Sequence, residues 1–191
     1  MTEAAFGALR ARLAAVLADG GHPGPAALLG RLAHRPGDRP AAAPPVVAHL
    51  DDALVRTGEE VDAALAETLA PLARAAAWQQ TASYVENPPD ATFLDLYAHA
   101  TLAEADDVAL GLVLLGPGVH YPPHHHPAEE FYLPAGSIRW LHAAGGEPAP
   151  EPAGVLVHHT PWQPHAMTTG DRPVLLVYVW TGPVGTPSVF V

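Results

Sequence analysis

The chain has 191 residues, with twenty acidic against nine basic side chains and a formal charge of −11. That length suits one domain, or one domain with a helical appendage. So acidic a chain repels phosphate backbones, which excludes nucleic acid as an expected partner. It contains no cysteine, so disulfides, thiolate metal sites and cysteine nucleophiles are excluded. Any bound metal must be held by histidine, carboxylate, tyrosine or water. No charged segment followed by an apolar stretch opens the chain, and no apolar run approaches ~18 residues. A soluble, cytoplasmic protein without membrane contact is the expectation.

The first ninety residues are rich in Ala and Leu and read as helical. Thr2 is placed to cap a first helix in which Phe6, Leu9, Leu13, Val16 and Leu17 recur at helical spacing until Gly20 and Gly21. A second helix is expected over residues 25–34, ended by the Pro- and Gly-containing stretch 35–45. A third begins near Val46. Residues 58–83 put Val61, Leu65, Leu69 and Leu72 on one stripe, with a kink expected at Pro71. This helical region, residues 1–90, holds no convergent polar cluster. It suits a cap over a barrel or the interface of a homodimer.

From Phe93 the pattern changes to short apolar runs between turn residues. Residues 93–102, 108–115, 130–141, 155–158 and 174–180 are strand candidates, with a loop over 145–154 and a turn over 170–173. Several short strands at regular spacing point to a mainly β fold, an antiparallel jelly-roll sandwich or barrel over residues 91–191 behind the helical region.

Twelve histidines are many for this length, and most lie from His120 to His165. Alternate residues of a strand share a face, so His124 and His126 point together while His125 points away. Glu130 and Tyr132 share a face in the same way, with Glu129 and Phe131 opposite. If the chain folds back at Pro127 and Ala128, two imidazoles and a carboxylate converge, and His165 after Pro161-Trp162-Gln163-Pro164 supplies a third imidazole. The expected metal ligands are therefore His124, His126, Glu130 and His165. They suit one divalent Fe, Zn, Mn, Ni or Co ion with an open position for water or substrate. His158 and His159 are adjacent and opposite-facing, one towards the core and one towards solvent. His142, His120 and His99 read as structural or surface residues.

The spacing Gly118-x5-His124-x-His126-x3-Glu130-x5-Gly136 resembles the first cupin motif, its last glycine one residue early. Pro161-x3-His165 resembles the second, shortened by one and without the usual glycine and asparagine. Within cupins, the run from Tyr121 to Tyr132 and the segment Gln163-Pro-His-Ala-Met167 resemble the dimethylsulfoniopropionate (DMSP) lyase family, as does a helical region ahead of a cupin barrel. The resemblance implies cleavage of DMSP to acrylate and dimethyl sulfide. It implies metal ligation by His126, Glu130, Tyr132 and His165, with His124 and Tyr121 beside them.

That chemistry is a β-elimination, which needs a base for the proton α to a carboxylate. Tyr132 fits, because a metal within reach lowers a phenol from its reference pKa of ~10. Tyr121 is the competing base, or an orienting hydroxyl. The sulfonium end of the substrate is a cation that aromatic faces attract, and Trp140, Trp162, Tyr178 and Trp180 are the candidates. The same ligands would also serve another metal-dependent cupin enzyme, a dioxygenase or isomerase acting on a small organic acid or sugar. A non-catalytic cupin that binds a small molecule is the remaining alternative.

Overall fold

The computed structural model describes residues 1–35, 42–143 and 146–191, so part of the expected connections at 35–45 and 145–154 lies outside the described residues. The helices are α1 (Thr2–Asp19), α2 (Pro23–Leu29), α3 (Leu50–Glu60), α4 (Ala63–Ala75) and α5 (Ala82–Glu86). Thr2 is the first residue of α1 and makes no cap; Met1 precedes it without a side-chain hydrogen bond. A 3-10 turn, Pro45–His49, leads into α3. The single helix expected over 58–83 is broken at Asp62, whose carboxylate accepts from the Leu65 N–H at 2.6 Å and starts α4 afresh. The same carboxylate takes both Arg12 nitrogens, at 3.2 and 2.7 Å, which ties α4 to α1.

Ten strands follow among the described residues: β1 (Tyr97–Ala105), β2 (Val108–Leu115), β3 (His120–His125), β4 (Glu129–Pro134), β5 (Ile138–Leu141), β6 (Ala149–Glu151), β7 (Val157–His159), β8 (His165–Thr168), β9 (Val174–Thr181) and β10 (Val189–Phe190). They form two five-stranded sheets, in the orders β1-β2-β9-β4-β7 and β10-β3-β8-β5-β6, with every pairing antiparallel. The result is a helical layer on a cupin-like β-sandwich.

Strand parity explains the layering. Leu110, Leu112 and Leu114 of β2, Phe131 and Leu133 of β4, and Leu175, Val177 and Val179 of β9 all face one side of the first sheet. They pack there against Phe6, Leu9, Leu13, Leu65, Leu69 and Leu72 of the helices. The intervening residues, among them Tyr132, Leu176 and Tyr178, face the second sheet. The first sheet is thus covered on both faces, and this is why β2 and β9 read as unbroken apolar runs. The helical stripe that suited either a barrel cap or a dimer partner is taken up by the barrel. About 25 cal/mol per Å² of apolar surface removed from water drives that docking.

The strand expected over 130–141 is two strands. β4 lies in the first sheet and β5 in the second, joined by the corner at Ala135, Gly136 and Ser137. α3 holds that corner. Arg56, buried, donates to the carbonyls of Ser137 (2.8 Å), Arg172 (3.2 Å) and Pro173 (3.3 Å) and to Glu60 (2.6 Å). Glu60 in turn accepts the Ser137 N–H and hydroxyl, each at 2.7 Å. Burial opposes ionisation of Glu60, but the bonds from Arg56 and Ser137 outweigh it and hold its pKa down at about 2. A carboxyl lowered on folding contributes stability above its ordinary value of 4.5, which is lost as pH falls towards 2. Glu60→Gln should therefore lower the unfolding free energy by about 2 kcal/mol at neutral pH, the worth of charged hydrogen bonds. Urea melts should show that deficit shrinking between pH 4.5 and 2; a deficit unchanged at low pH would mean that the carboxylate charge is not what holds the corner.

Candidate metal centre

The site lies between the two sheets. β3 pairs with β8 so that His124 stands directly opposite His165, the register slipping at Pro122 and Pro123, which have no N–H to give the ladder. The chain turns after His126 and crosses to the first sheet, where β4 sets Glu130 opposite Trp180 of β9 on one side and His159 of β7 on the other. His124, His126, Glu130, His159 and His165 are all at most 3% exposed. Buried imidazoles and a carboxylate in one pocket carry a desolvation cost that only mutual pairing or a bound ion offsets.

His126, Glu130 and His165 each bring a ligand atom within 4.8 Å of the other two. Their protonation follows from the backbone. Nδ1 of His124 lies 2.9 Å from the Pro122 carbonyl, that of His126 2.9 Å from Ala128, and that of His165 2.9 Å from Gln163. A carbonyl can only accept, so each Nδ1 carries the proton and each Nε2 is left with its lone pair. Glu130 Oε2 sits 3.0 Å from Nε2 of His126 and 3.1 Å from that of His165, and the latter nitrogen is buried without an aligned hydrogen bond. Lone pairs of two imidazoles facing a carboxylate repel unless a proton or a cation stands between them. The donor set and the unpartnered nitrogen therefore fit a divalent transition metal. Burial pushes the Glu130 carboxyl up; His126 and His165 as protonated imidazoles hold it well below the usual carboxylate range, and a bound cation takes that part when both Nε2 carry lone pairs. Burial and the neighbouring His165 push His124 well below the usual imidazole range.

Beside these ligands is a cavity of about 470 Å³, lined among others by Tyr97, His99, Tyr121, Tyr132, Tyr178 and Trp180. Tyr132 is buried against Trp140; burial first, then the charge of the nearby Glu130 carboxylate, raises its phenol well above the ordinary tyrosine value. Tyr121 lies flat on His124, with ring centroids 4.0 Å apart, and its hydroxyl is 2.9 Å from that of Tyr84 on α5. Tyr178 lies across Gly111 of β2, where any Cβ would come within 2.4 Å of its ring, and reaches Thr101 at 3.1 Å. Trp180 stacks on His126 at 4.2 Å and donates its indole N–H to Glu130, so it orients two ligands as well as lining the cavity.

Two aromatic candidates lie elsewhere. Trp140 is fully buried behind Tyr132 and does not line the cavity. Trp162 is 53% exposed, packs on the outward-facing His125, and adopts a left-handed φ of 63° that costs a non-glycine residue about 1–2 kcal/mol. Its backbone N–H bonds to the His126 carbonyl at 2.8 Å, which ties the loop before His165 to the corner after β3. Trp162→Ala should accordingly leave KM within about twofold, as surface substitutions do. Trp180→Ala should raise KM and lower metal content together, and steady-state assays with metal analysis would separate the two variants.

Three contributors escaped the sequence reading. Tyr84 on α5 and Tyr97 at the start of β1 converge on Tyr121, with centroids 5.9 and 5.2 Å away. His99, read as structural, lines the cavity, and burial lowers its pKa to about 4. The alternation Tyr97, His99, Thr101 along β1 was the available signal.

A family model described as DMSP lyase matches residues 26–176. The chain belongs to the DMSP lyase family. It is 34% identical over 121 residues to the dimethylsulfoniopropionate lyase DddQ of Ruegeria pomeroyi, an alignment that covers 60% of this chain and 59% of that protein. The crystal structure of DMSP lyase DddQ from Ruegeria pomeroyi DSS-3 superposes with a TM-score of 0.77 at 28% identity, over 98% of this chain and 96% of that one. A chain from the crystal structures of the DMSP lyases RdDddP and RnDddQII gives a TM-score of 0.65 at 26% identity, over 83% of each chain. The family match takes in His126, Glu130, Tyr132 and His165 together. No helix among the described residues is long and apolar enough to cross a membrane.

Proposed function

We propose that this member of the DMSP lyase family cleaves dimethylsulfoniopropionate to acrylate and dimethyl sulfide by β-elimination, as a metal-dependent carbon–sulfur lyase. The observation that carries the reading is a buried His126–Glu130–His165 triad and a phenol, Tyr132, two residues along the same strand face, with Glu130 and Tyr132 lining one cavity. A divalent Fe, Zn, Mn, Ni or Co ion at the triad would supply positive charge to stabilise the charge developing on the substrate carboxylate and to favour the phenolate of Tyr132.

The residues of the chain do the rest. Tyr132 takes the proton from the α carbon; the C–H electron pair becomes the C=C bond of acrylate, and dimethyl sulfide leaves with the C–S pair. Tyr178 and Trp180 turn aromatic faces to the cavity, where each can hold a sulfonium at ~0.5–2 kcal/mol. Tyr121, held between Tyr84 and His124, orients the substrate from the opposite wall. His124 lies between Tyr121 and His165, with ring centroids 4.0 and 4.1 Å away, and supports both from outside the cluster of ligand atoms that His126, Glu130 and His165 form. Purified protein loaded in turn with each of the five metals should release dimethyl sulfide into the headspace, measured by gas chromatography. No release with any of them would overturn the lyase assignment and leave the metal centre standing.

A further inference from the structure

His142, His159, Glu151 and Gln163 form a second polar cluster behind the metal centre, and the reaction outlined above uses none of them. His159 is 1% exposed and stands in register opposite Glu130. Its ring lies parallel to that of His165, with centroids 4.1 Å apart and planes 7° apart. His142 Nδ1 is 3.1 Å from His159 Nε2, and His142 Nε2 is 3.3 Å from Glu151 Oε1. A carboxylate can only accept, so the direction is fixed: His142 donates to Glu151, and His159 donates to His142.

His165 needs such support. It is the first residue of the four-residue β8, it follows a loop with two prolines and the left-handed Trp162, and its Nδ1 partner is the carbonyl only two residues before it. That loop is held from the same cluster, because the Gln163 amide donates to the His142 carbonyl at 2.7 Å. His142 therefore anchors both the plate behind the His165 ring and the loop that carries it.

We propose that His159 is a positioning residue of the metal centre, an imidazole fixed through His142 to Glu151 against which His165 is held with Nε2 aimed at Glu130 and His126. The proposal rests on the metal-centre reading of His126, Glu130 and His165. It makes His142 and Glu151 determinants of metal affinity although neither ligates.

The test is Co(II) binding by the full chain stripped of metal, read by chelator competition and by the visible absorption of the bound ion. His159→Ala should weaken binding by about 10- to 100-fold, the usual cost of losing support behind a ligand, and shift the absorption bands. His159→Phe keeps a flat ring behind His165 and should recover most of that loss. His142→Ala, at a half-exposed position that folding tolerates, should weaken binding by several-fold, and it decides the matter alone if His159→Ala does not fold. Co(II) affinity and spectrum unchanged in His142→Ala and His159→Ala, in a protein where His165→Ala has lost binding, would overturn the proposal. So would His159→Phe losing Co(II) as completely as His165→Ala, since His159 would then be a ligand. Undiminished binding by His165→Ala would instead overturn the metal centre itself.

Discussion

Tyr132→Phe is expected to lower kcat for dimethyl sulfide release by about 10²- to 10⁴-fold, the range for loss of a general base, with little change in KM. The substitution removes one oxygen. The ring keeps its packing on Trp140, with centroids 5.0 Å apart, and its place opposite Tyr178 in the β4–β9 register, so the fold has no reason to change. What disappears is the hydroxyl of a residue that lines the cavity beside Glu130. Tyr121→Phe is the informative comparison, because that hydroxyl already has Tyr84 as a partner and its ring is fixed flat on His124. An orienting role for Tyr121 predicts a rise in KM and a smaller fall in kcat. If Tyr121→Phe proves the more damaging to kcat, while Tyr132→Phe stays within tenfold of the wild type, the two tyrosines exchange roles.

The convergence of His126, Glu130 and His165 was legible because most of its signal is local. Parity along β4 sends Glu130 and Tyr132 into the barrel and Phe131 under the helices, and one heteropolymer pattern determines both placements. The same parity explains why His124 and His126 are buried while His125 remains partly exposed. The fold class was legible for a related reason: the change from helical spacing to short alternating runs near residue 93 coincides with the start of β1 at Tyr97. Long-range contacts were not legible. Nothing near Ser137 announces that Arg56 and Glu60 will grip the corner there, so a run of strand-forming residues reads as one strand where the chain changes sheets. Tyr84 meets Tyr121 across 37 positions of sequence, in a five-residue helix too short to have a periodicity of its own. Parity also says nothing about depth. Trp140, expected to meet the substrate, packs instead behind Tyr132 and away from the cavity.

Glu130→Gln should reduce bound transition metal from about one equivalent per chain to a small fraction of that, and should abolish dimethyl sulfide release. The argument is one of charge. His126 and His165 keep their Nδ1 protons on backbone carbonyls and offer neutral lone pairs, so the triad draws its negative charge from Glu130. Glutamine preserves the volume and removes the charge, and its amide N–H groups would meet the metal where a lone pair is needed. Thermal melts separate this effect from a folding defect. Any ligand that binds only the native state stabilises it by RT ln(1 + [L]/Kd), about 2.7 kcal/mol at a hundredfold excess over Kd, so added metal should raise the wild-type melting temperature. The variant should melt at one temperature with or without the ion. Should Glu130→Gln keep a full equivalent of metal and its metal-dependent rise in melting temperature, the carboxylate is not a ligand and the triad is a hydrogen-bonded core. Loss of metal together with retained dimethyl sulfide release would mean instead that the elimination proceeds from Tyr132 without the ion, and the need for a charge to favour its phenolate would pass to the protein alone.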